Sequence, residues 1–247
     1  MNPRRFHAIW RREMMACFLS PVAYVTLVAY LGATAFTFWI AAFRNEGRPE
    51  PIALLLFGSV MFWMPILVTV VAMRLFVEEK RSGTIETLLT APVTELEIVL
   101  GKYAGALTFL LLAVAPTLSY AFILERLSPT LTLHNLDLGA LLGGGIATAL
   151  VTSAFLAVAL VVSLTTRNQI VAAICTFCVL WVMLLAGWIL KETPGVPERL
   201  ADAISVTRHL EQFARGVVEF PPIVLYVTTV IFLLFTATRM LESQRWR

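Results

Sequence analysis

Charged residues are scarce in this sequence. They make up 14% of its 247 residues, and hydrophobic residues make up 59%, against about 25% and about 45–50% in typical soluble proteins. This balance excludes an ordinary soluble core and is typical of a membrane protein. At about 20 residues for each membrane-spanning helix, the length allows about six spans with short connections.

Cysteine is also rare, with only three residues, Cys17, Cys175 and Cys178, which excludes a disulfide framework. Cys175 and Cys178 form a C-x-x-C inside an apolar run, with no second pair nearby. We expect both to be small buried hydrophobic residues rather than metal or redox ligands. The sequence also lacks H-E-x-x-H, clustered acids and any histidine within a span, so we assign no catalytic or metal-binding residue and disfavour an intramembrane enzyme.

Two further absences restrict the mechanism. No G-x-x-x-x-G-K-[ST] phosphate loop occurs, so the chain is expected to bind no nucleotide by that route and no cofactor of its own. No Asp, Glu, Lys, Arg or His lies within a predicted span, which argues against an ion-coupled secondary transporter, the main rival class. We expect no nucleic-acid partner.

Long uncharged runs predict an all-α polytopic protein, a single transmembrane domain covering residues 1–247. Pro65 and Pro116 lie inside two of these runs and predict bends. The first run is too long for a signal peptide, so no cleavable signal is expected. The six predicted spans are residues 22–43, 52–73, 103–124, 138–166, 169–190 and 220–238.

The N-terminal residues 3–19 have helical periodicity, with apolar residues on one face and arginines largely elsewhere. This pattern predicts an amphipathic helix at the membrane surface, with its arginines toward anionic lipid head groups. A disordered basic tail is the alternative. The residues assigned to the membrane-surface helix are Arg4, Arg5, Phe6, Trp10, Arg11 and Arg12.

The most charged segment is residues 74–102, RLFVEEKRSGTIETLLTAPVTELEIVLGK. Such a density of charge must lie in water between two spans. Thr94 and Glu97 have capping-box spacing, which predicts that a helix begins there. Before them, a cap, an apolar stripe and a terminating proline predict a short helix, formed by Thr84, Ile85, Leu88, Leu89 and Pro92. An ordinary solvated loop is the alternative.

This segment resembles the coupling loop of ABC-2 type transporter permeases. The resemblance implies a cytoplasmic coupling helix between spans 2 and 3, seated in a groove of a separate ATPase subunit that uses ATP and Mg²⁺. It also implies an N-terminal interfacial helix and a second copy or a related permease as partner. The residues that carry the ATPase-coupling prediction are Glu78, Glu79, Lys80, Arg81, Gly83, Thr84, Ile85, Glu86, Leu88, Leu89 and Pro92.

The loop 191–219 has a helical rhythm of apolar residues, which predicts two short external amphipathic helices separated near residues 205–207. Its segment 207–217, TRHLEQFARGV, and the ending Leu241-Glu242-Ser243 resemble the gliding-motility-associated group of ABC-2 permeases. That similarity extends the resemblance over nearly the whole chain.

Small residues recur in the fourth predicted span. Gly139, Gly143 and Ala147 have the spacing that permits close helix approach, so they are candidates for a subunit interface. Equally, the three consecutive glycines 143–145 are able to loosen the helix instead. The sequence does not distinguish between these two readings.

The distribution of basic residues predicts the orientation. Twelve of the 19 Lys and Arg residues lie on the side of the two termini and of the 74–102 segment. The positive-inside rule therefore predicts that this side is the cytoplasm, and the resemblance implies a bacterial inner membrane. The expected function is the permease subunit of an ATP-driven exporter. An alternative is transmission of ATP-driven motion to an extracytoplasmic partner without export, and membrane lipids are further expected partners.

Overall fold

The computed structural model describes residues 3–45, 50–83, 93–127, 137–195 and 197–245. These residues are almost entirely helical, and no strand occurs among them. The helices are α1 Pro3–Phe18, α2 Pro21–Arg44, α3 Ile52–Leu75, α4 Val77–Ser82, α5 Glu95–Val114, α6 Leu118–Leu127, α7 Leu138–Thr165, α8 Gln169–Glu192, α9 Glu198–Ile204, α10 Val206–Ala214 and α11 Phe220–Arg245.

Six helical segments in this part of the chain are long and apolar enough to cross a membrane. They are α2, α3 with α4, α5 with α6, α7, α8, and α11. The predicted all-α architecture with six spans is thereby confirmed. The helix that was predicted to follow the charged segment begins at Glu95, eight residues before its uncharged run.

Helices α3 and α7 lie at the centre of the bundle. Their most apolar stretches are 61% and 56% buried, whereas those of α2 and α11 are only 22% and 17% buried. Helix α3 packs against α2, α7 and α8, and α7 packs against α11 and α10 as well. The outer helices therefore present apolar side chains outward, as is typical of membrane-spanning helices.

The two prolines predicted to bend their helices behave differently. Pro65 lies within α3, which continues through it as one helix. Around Pro116 the α-helix gives way to a 3₁₀ turn, Ala115–Thr117, that separates α5 from α6. Proline removes a backbone donor from the helical ladder, and a short 3₁₀ turn accommodates that loss.

The cysteine prediction is wrong on burial. Cys175 and Cys178 are both exposed on the outside of α8. The buried face of α8 is a narrow stripe that includes Ala172, Thr176 and Leu180. Lipid chains are as apolar as a protein core, so hydrophobicity by itself does not distinguish an inward-facing from an outward-facing cysteine in a span.

Candidate functional site

Helix α4 lies near the start of the charged segment, directly after α3. Phe76 separates the two helices and is fully buried. Glu78 and Glu79 lie in the first turn of α4 and Lys80 and Arg81 in its last, which suits the helix dipole at both ends. The helix ends at Ser82, and the next residue, Gly83, caps it with a left-handed φ of 73°, a conformation that glycine adopts at little cost. A helix of six residues is marginal by itself, so its neighbours must hold it.

Four charged side chains form an ion network that joins α4 to α1 and α5. Lys102 Nζ lies 2.9 Å from Glu79 Oε1 and 3.1 Å from Glu13 Oε1. Arg12 Nη2 lies 2.9 Å from each of the same two oxygens. The Lys102 side chain is only 1% exposed, and its ammonium also lies 5.2 Å from the ring centre of Phe76. Two cations thus balance two carboxylates.

The next two residues of α4 form hydrogen bonds to α7 and α8. Lys80 Nζ donates a hydrogen bond to the backbone carbonyl of Leu164, in the last turn of α7, where carbonyl groups lack helical partners. Arg81 Nη1 donates a hydrogen bond of 3.5 Å to Gln169 Oε1, at the start of α8. We call Arg12, Glu13, Glu79, Lys80, Arg81 and Lys102 the charged junction.

Two glycines seat α1 on α5. A Cβ atom on Gly101 would lie 2.6 Å from Ile9 Cγ2, and one on Gly105 would lie 2.8 Å from Glu13 Cβ. Both distances are closer than real contacts allow, so only glycine permits this approach. Trp10 Nε1 adds a hydrogen bond of 3.1 Å to Thr108 Oγ1. The N-terminal helix is therefore docked on the bundle.

The structure places the predicted membrane-surface residues on two faces of α1. Phe6 and Trp10 are half-buried, whereas Arg4, Arg5, Arg11 and Arg12 are exposed. The amphipathic periodicity is present, and contact with lipid head groups stays a prediction. Burial of Cys17 near the end of this helix raises the pKa of its thiol to about 11.

The predicted capping box is present at the start of α5. Glu97 N donates to Thr94 Oγ1 at 3.3 Å, and Thr94 N donates to Glu97 Oε2 at 3.2 Å. The predicted coupling residues Thr84, Ile85, Glu86, Leu88, Leu89 and Pro92 lie outside the described residues. Among the others, Glu78, Arg81 and Gly83 are exposed. Glu79 belongs to the ion network, and Lys80 and Arg81 donate hydrogen bonds to α7 and α8.

The small residues of α7 make contacts within the chain. Helix α7 continues through the three glycines, so they do not break it. A Cβ on Gly143 would lie 2.2 Å from the carbonyl oxygen of Phe213 in α10, and one on Gly144 would lie 2.1 Å from the Phe57 ring. Ala147 is buried, and Gly139 N donates to Asp137 Oδ1 at 2.8 Å. A subunit interface on this face stays a prediction.

Helices α9 and α10 are separated by Ser205. They lie at the opposite end of the bundle from the charged junction, because α10 contacts the start of α7 at Gly143 whereas Lys80 bonds to its last turn. Helix α10 buries Val206, His209, Leu210 and Phe213 against α7, α3 and α8. His209 Nδ1 lies 3.0 Å from the hydroxyl of Tyr226. Burial holds the pKa of His209 below its ordinary value. The predicted location of these two helices on the external side of the membrane stays a prediction.

Sequence reasoning missed the partner of Lys102. Glu13 is the only acidic residue before position 46, and an acid among four arginines on an amphipathic helix is a usable signal. Its partner lies 89 residues away, and no local pattern connects the two positions. Sequence reasoning also missed a cleft between α8 and α10.

The fold and the junction define a polytopic helical membrane protein in which a short charged helix ties several spans together at one end. A sequence profile described as "ABC-2 family transporter protein" matches residues 6–184, well over half of the chain. The chain therefore belongs to the ABC-2 family of transporter proteins and is a membrane permease component of an ABC transporter. This family implies partnership with an ABC ATPase subunit and, often, dimerisation. A search of curated proteins gave no match.

Proposed function

We propose that this chain is the permease subunit of an ATP-driven exporter in the bacterial inner membrane. ATP hydrolysis, with Mg²⁺, takes place on a separate ATPase subunit, and its motion enters the permease through the segment between α4 and α5. The permease then moves a substrate across or out of the membrane. It forms one of two six-span halves, and a second copy or a related permease forms the other.

One observation carries this proposal: α4 is bonded to four other helices. Glu79 reaches α1 and α5 through the ion network, Lys80 reaches α7, and Arg81 reaches α8. A displacement applied next to α4 is therefore delivered to several spans together, because charge-assisted contacts resist separation. A freely solvated loop has no such connection to the bundle.

The docked helix α1 is part of the same unit. Gly101 and Gly105 hold α1 along the first half of α5, and Glu13 adds its carboxylate to the network. Movement of α4 then carries α1 and α5 with it. We infer that the charged junction acts as the rigid link between the ATPase and the spans.

The test replaces Leu88 and Leu89 together by Asp. We expect the ATPase to be lost from the purified complex on pull-down, because two carboxylates do not enter an apolar groove. The matched control is Val217→Asp with Val218→Asp, two adjacent apolar residues that are 54% and 51% exposed at the other end. Normal recovery of the ATPase with the Leu88 and Leu89 variant would overturn the coupling role of this segment.

Cysteine labelling tests the proposed orientation of the chain in the membrane. In a cysteine-free background, Ser82→Cys should react with a membrane-impermeant thiol reagent only after cells are opened, whereas Val217→Cys should react in intact cells treated to permeabilise the outer membrane alone. Both termini are proposed to be cytoplasmic. Labelling of Ser82→Cys in those intact cells contradicts this arrangement.

The segment 207–217, most of which lies in α10, and the ending Leu241-Glu242-Ser243 support placement in the gliding-motility-associated group. A second candidate function follows from it: the permease transmits ATP-driven motion to an envelope protein without export. Its support is that α10 packs on the central helices α3 and α7, so movement of the core reaches the far end. ATPase stimulation by an external protein in the absence of transport would favour this function over export.

A further inference from the structure

A cleft of about 420 Å³ opens between the end of α8 and the polar face of α10. Its walls include Trp188, Lys191, Ser205, Arg208, Glu211 and Arg215. The two helices approach closely beside it, because a Cβ on Gly187 would lie only 2.2 Å from Ser205 Oγ. Two packed elements therefore fix the position of the cleft.

Cations outnumber anions among the charged residues that line this cleft. Lys191 Nζ lies 3.0 Å from Asp202 Oδ1, and Arg208 Nη1 lies 2.6 Å from Asp202 Oδ2. Two cations thus share one carboxylate, and together they hold the pKa of Asp202 below its usual value. The pair of Arg215 and Glu211, 2.7 Å apart, is balanced in charge. The five groups carry a net charge of about +1 at neutral pH.

Both shared cations keep capacity for another ligand. An ammonium carries three N–H donors and a guanidinium five, and one carboxylate does not occupy all of them. The side chains of Lys191 and Arg208 are 44% and 43% exposed, so an incoming anion reaches them without repacking of the protein. Converging Lys and Arg donors are the usual means of recognising phosphate.

The cleft lies where a membrane span ends. Lys191 is in the last turn of α8, and Trp188, one turn earlier, is 64% exposed. Tryptophan is enriched at the level of lipid head groups. Leu185 and Phe177 share a helical face with Trp188 and are 39% and 40% exposed. An apolar track thus leads from the cleft down the outside of α8.

We propose that this cleft binds the phosphate-type anionic head group of a membrane amphiphile. Arg208 and Lys191 hold the phosphate, and the acyl chains lie along the outer face of α8 below Trp188. This binding does not require ATP hydrolysis, so it stands or falls separately from the proposed export function.

The test uses the purified full-length protein in a zwitterionic detergent. Binding of phosphatidylglycerol is measured by titration with native mass spectrometry, and phosphatidylcholine provides the zwitterionic reference. We expect Lys191→Gln with Arg208→Gln to weaken phosphatidylglycerol binding at least about tenfold, since both charge-assisted hydrogen bonds are lost. Arg199→Gln is the matched control, because Arg199 is an exposed cation of α9 outside the walls of the cleft.

Two further variants test whether the positive charges of Lys191 and Arg208 hold the phosphate. Asp202→Asn keeps both cations and removes the competing carboxylate, so it should tighten binding. The conservative variant Lys191→Arg with Arg208→Lys keeps both charges and should retain most of it. The proposal is overturned if the Gln variant binds phosphatidylglycerol as the wild type does, if it loses phosphatidylcholine equally, or if Asp202→Asn weakens binding.

A competition experiment distinguishes a lipid head group from a free phosphate as the ligand. Inorganic phosphate and glycerol phosphate are added at millimolar concentrations in competition with phosphatidylglycerol. Displacement by either supports a site for free phosphate-type anions. Failure of both to compete, together with retained phosphatidylglycerol binding, supports a lipid site in which the acyl chains contribute to affinity.

Discussion

The two ends of the bundle differ in the balance and the burial of their charged side chains. In the ion network of the charged junction, two cations meet two carboxylates, and the side chains of Lys102, Glu13 and Glu79 are 1%, 13% and 15% exposed. At the cleft, two cations share the single carboxylate of Asp202 and remain more than 40% exposed. Burial demands matched charges, whereas an exposed site tolerates an excess. The junction is therefore suited to holding helices together, and the cleft to binding an anion.

The largest effect is expected from the one nearly fully buried cation of the junction. Lys102→Met leaves Glu13 and Glu79 with Arg12 alone, and we expect a loss of about 3 kcal/mol in the free energy of unfolding. Lys191→Met at the cleft end is the matched change, and it should cost less than about 1 kcal/mol because exposed ion pairs contribute little. Unfolding titrations in mixed micelles measure both. Equal losses would remove the distinction between the two ends.

A smaller effect is expected where the cleft end is joined to the core. Gly143→Ala forces a Cβ against the backbone of Phe213, and overpacking of this kind costs about 1–3 kcal/mol. Gly145→Ala is the control in the same helix, because nothing lies within 4 Å of its Cβ position. The same unfolding titration distinguishes them. If both variants were equally stable, α10 would not be seated on α7 as described.

The smallest effect is a pH dependence at the cleft end. Burial lowers the pKa of His209, while the unfolded chain keeps the ordinary value of about 6.5. The unfolded state therefore takes up the proton first as the pH falls. Stability that is fully present above about pH 6.5 is lost as the pH drops toward the folded-state pKa.

This pH dependence should be measured as unfolding midpoints between pH 7.5 and pH 5. The hydroxyl of Tyr226 lies beside the ring, and Glu219, Arg208 and Asp202 are the charged groups that act on it. His209→Gln lacks the titrating group, so its loss of stability on acidification should be smaller than that of the wild type. An identical slope in the two proteins would assign the effect to other groups.

Local sequence features predicted much of this fold. Uncharged runs located the six spans, and the Thr94 and Glu97 spacing located the start of α5, because both signals depend on residues within one helix. The pairing of Lys102 with Glu13 was not predictable, since the two residues are 89 positions apart. The outward orientation of Cys175 was missed for a different reason, because lipid and core are equally apolar.

The candidate site was predicted in part. Sequence pattern marked the 74–102 segment as charged and exposed to water, and Glu78 and Arg81 are exposed, whereas Glu97 and Lys102 are buried. The same pattern did not show that Glu79 and Lys80 bond to other helices, because their partners lie in α1, α5 and α7. The cleft was also unpredictable, since it forms only where the end of α8 meets α10.

Helix α5 begins well before the predicted third span. Glu95 to Lys102 is eight residues of continuous helix before the first uncharged stretch, and at about 1.5 Å per residue this is roughly 12 Å. The N-terminal helix is braced against the same stretch through Gly101. The predicted third span therefore continues a helix whose first two turns are already packed against α1 before the span begins.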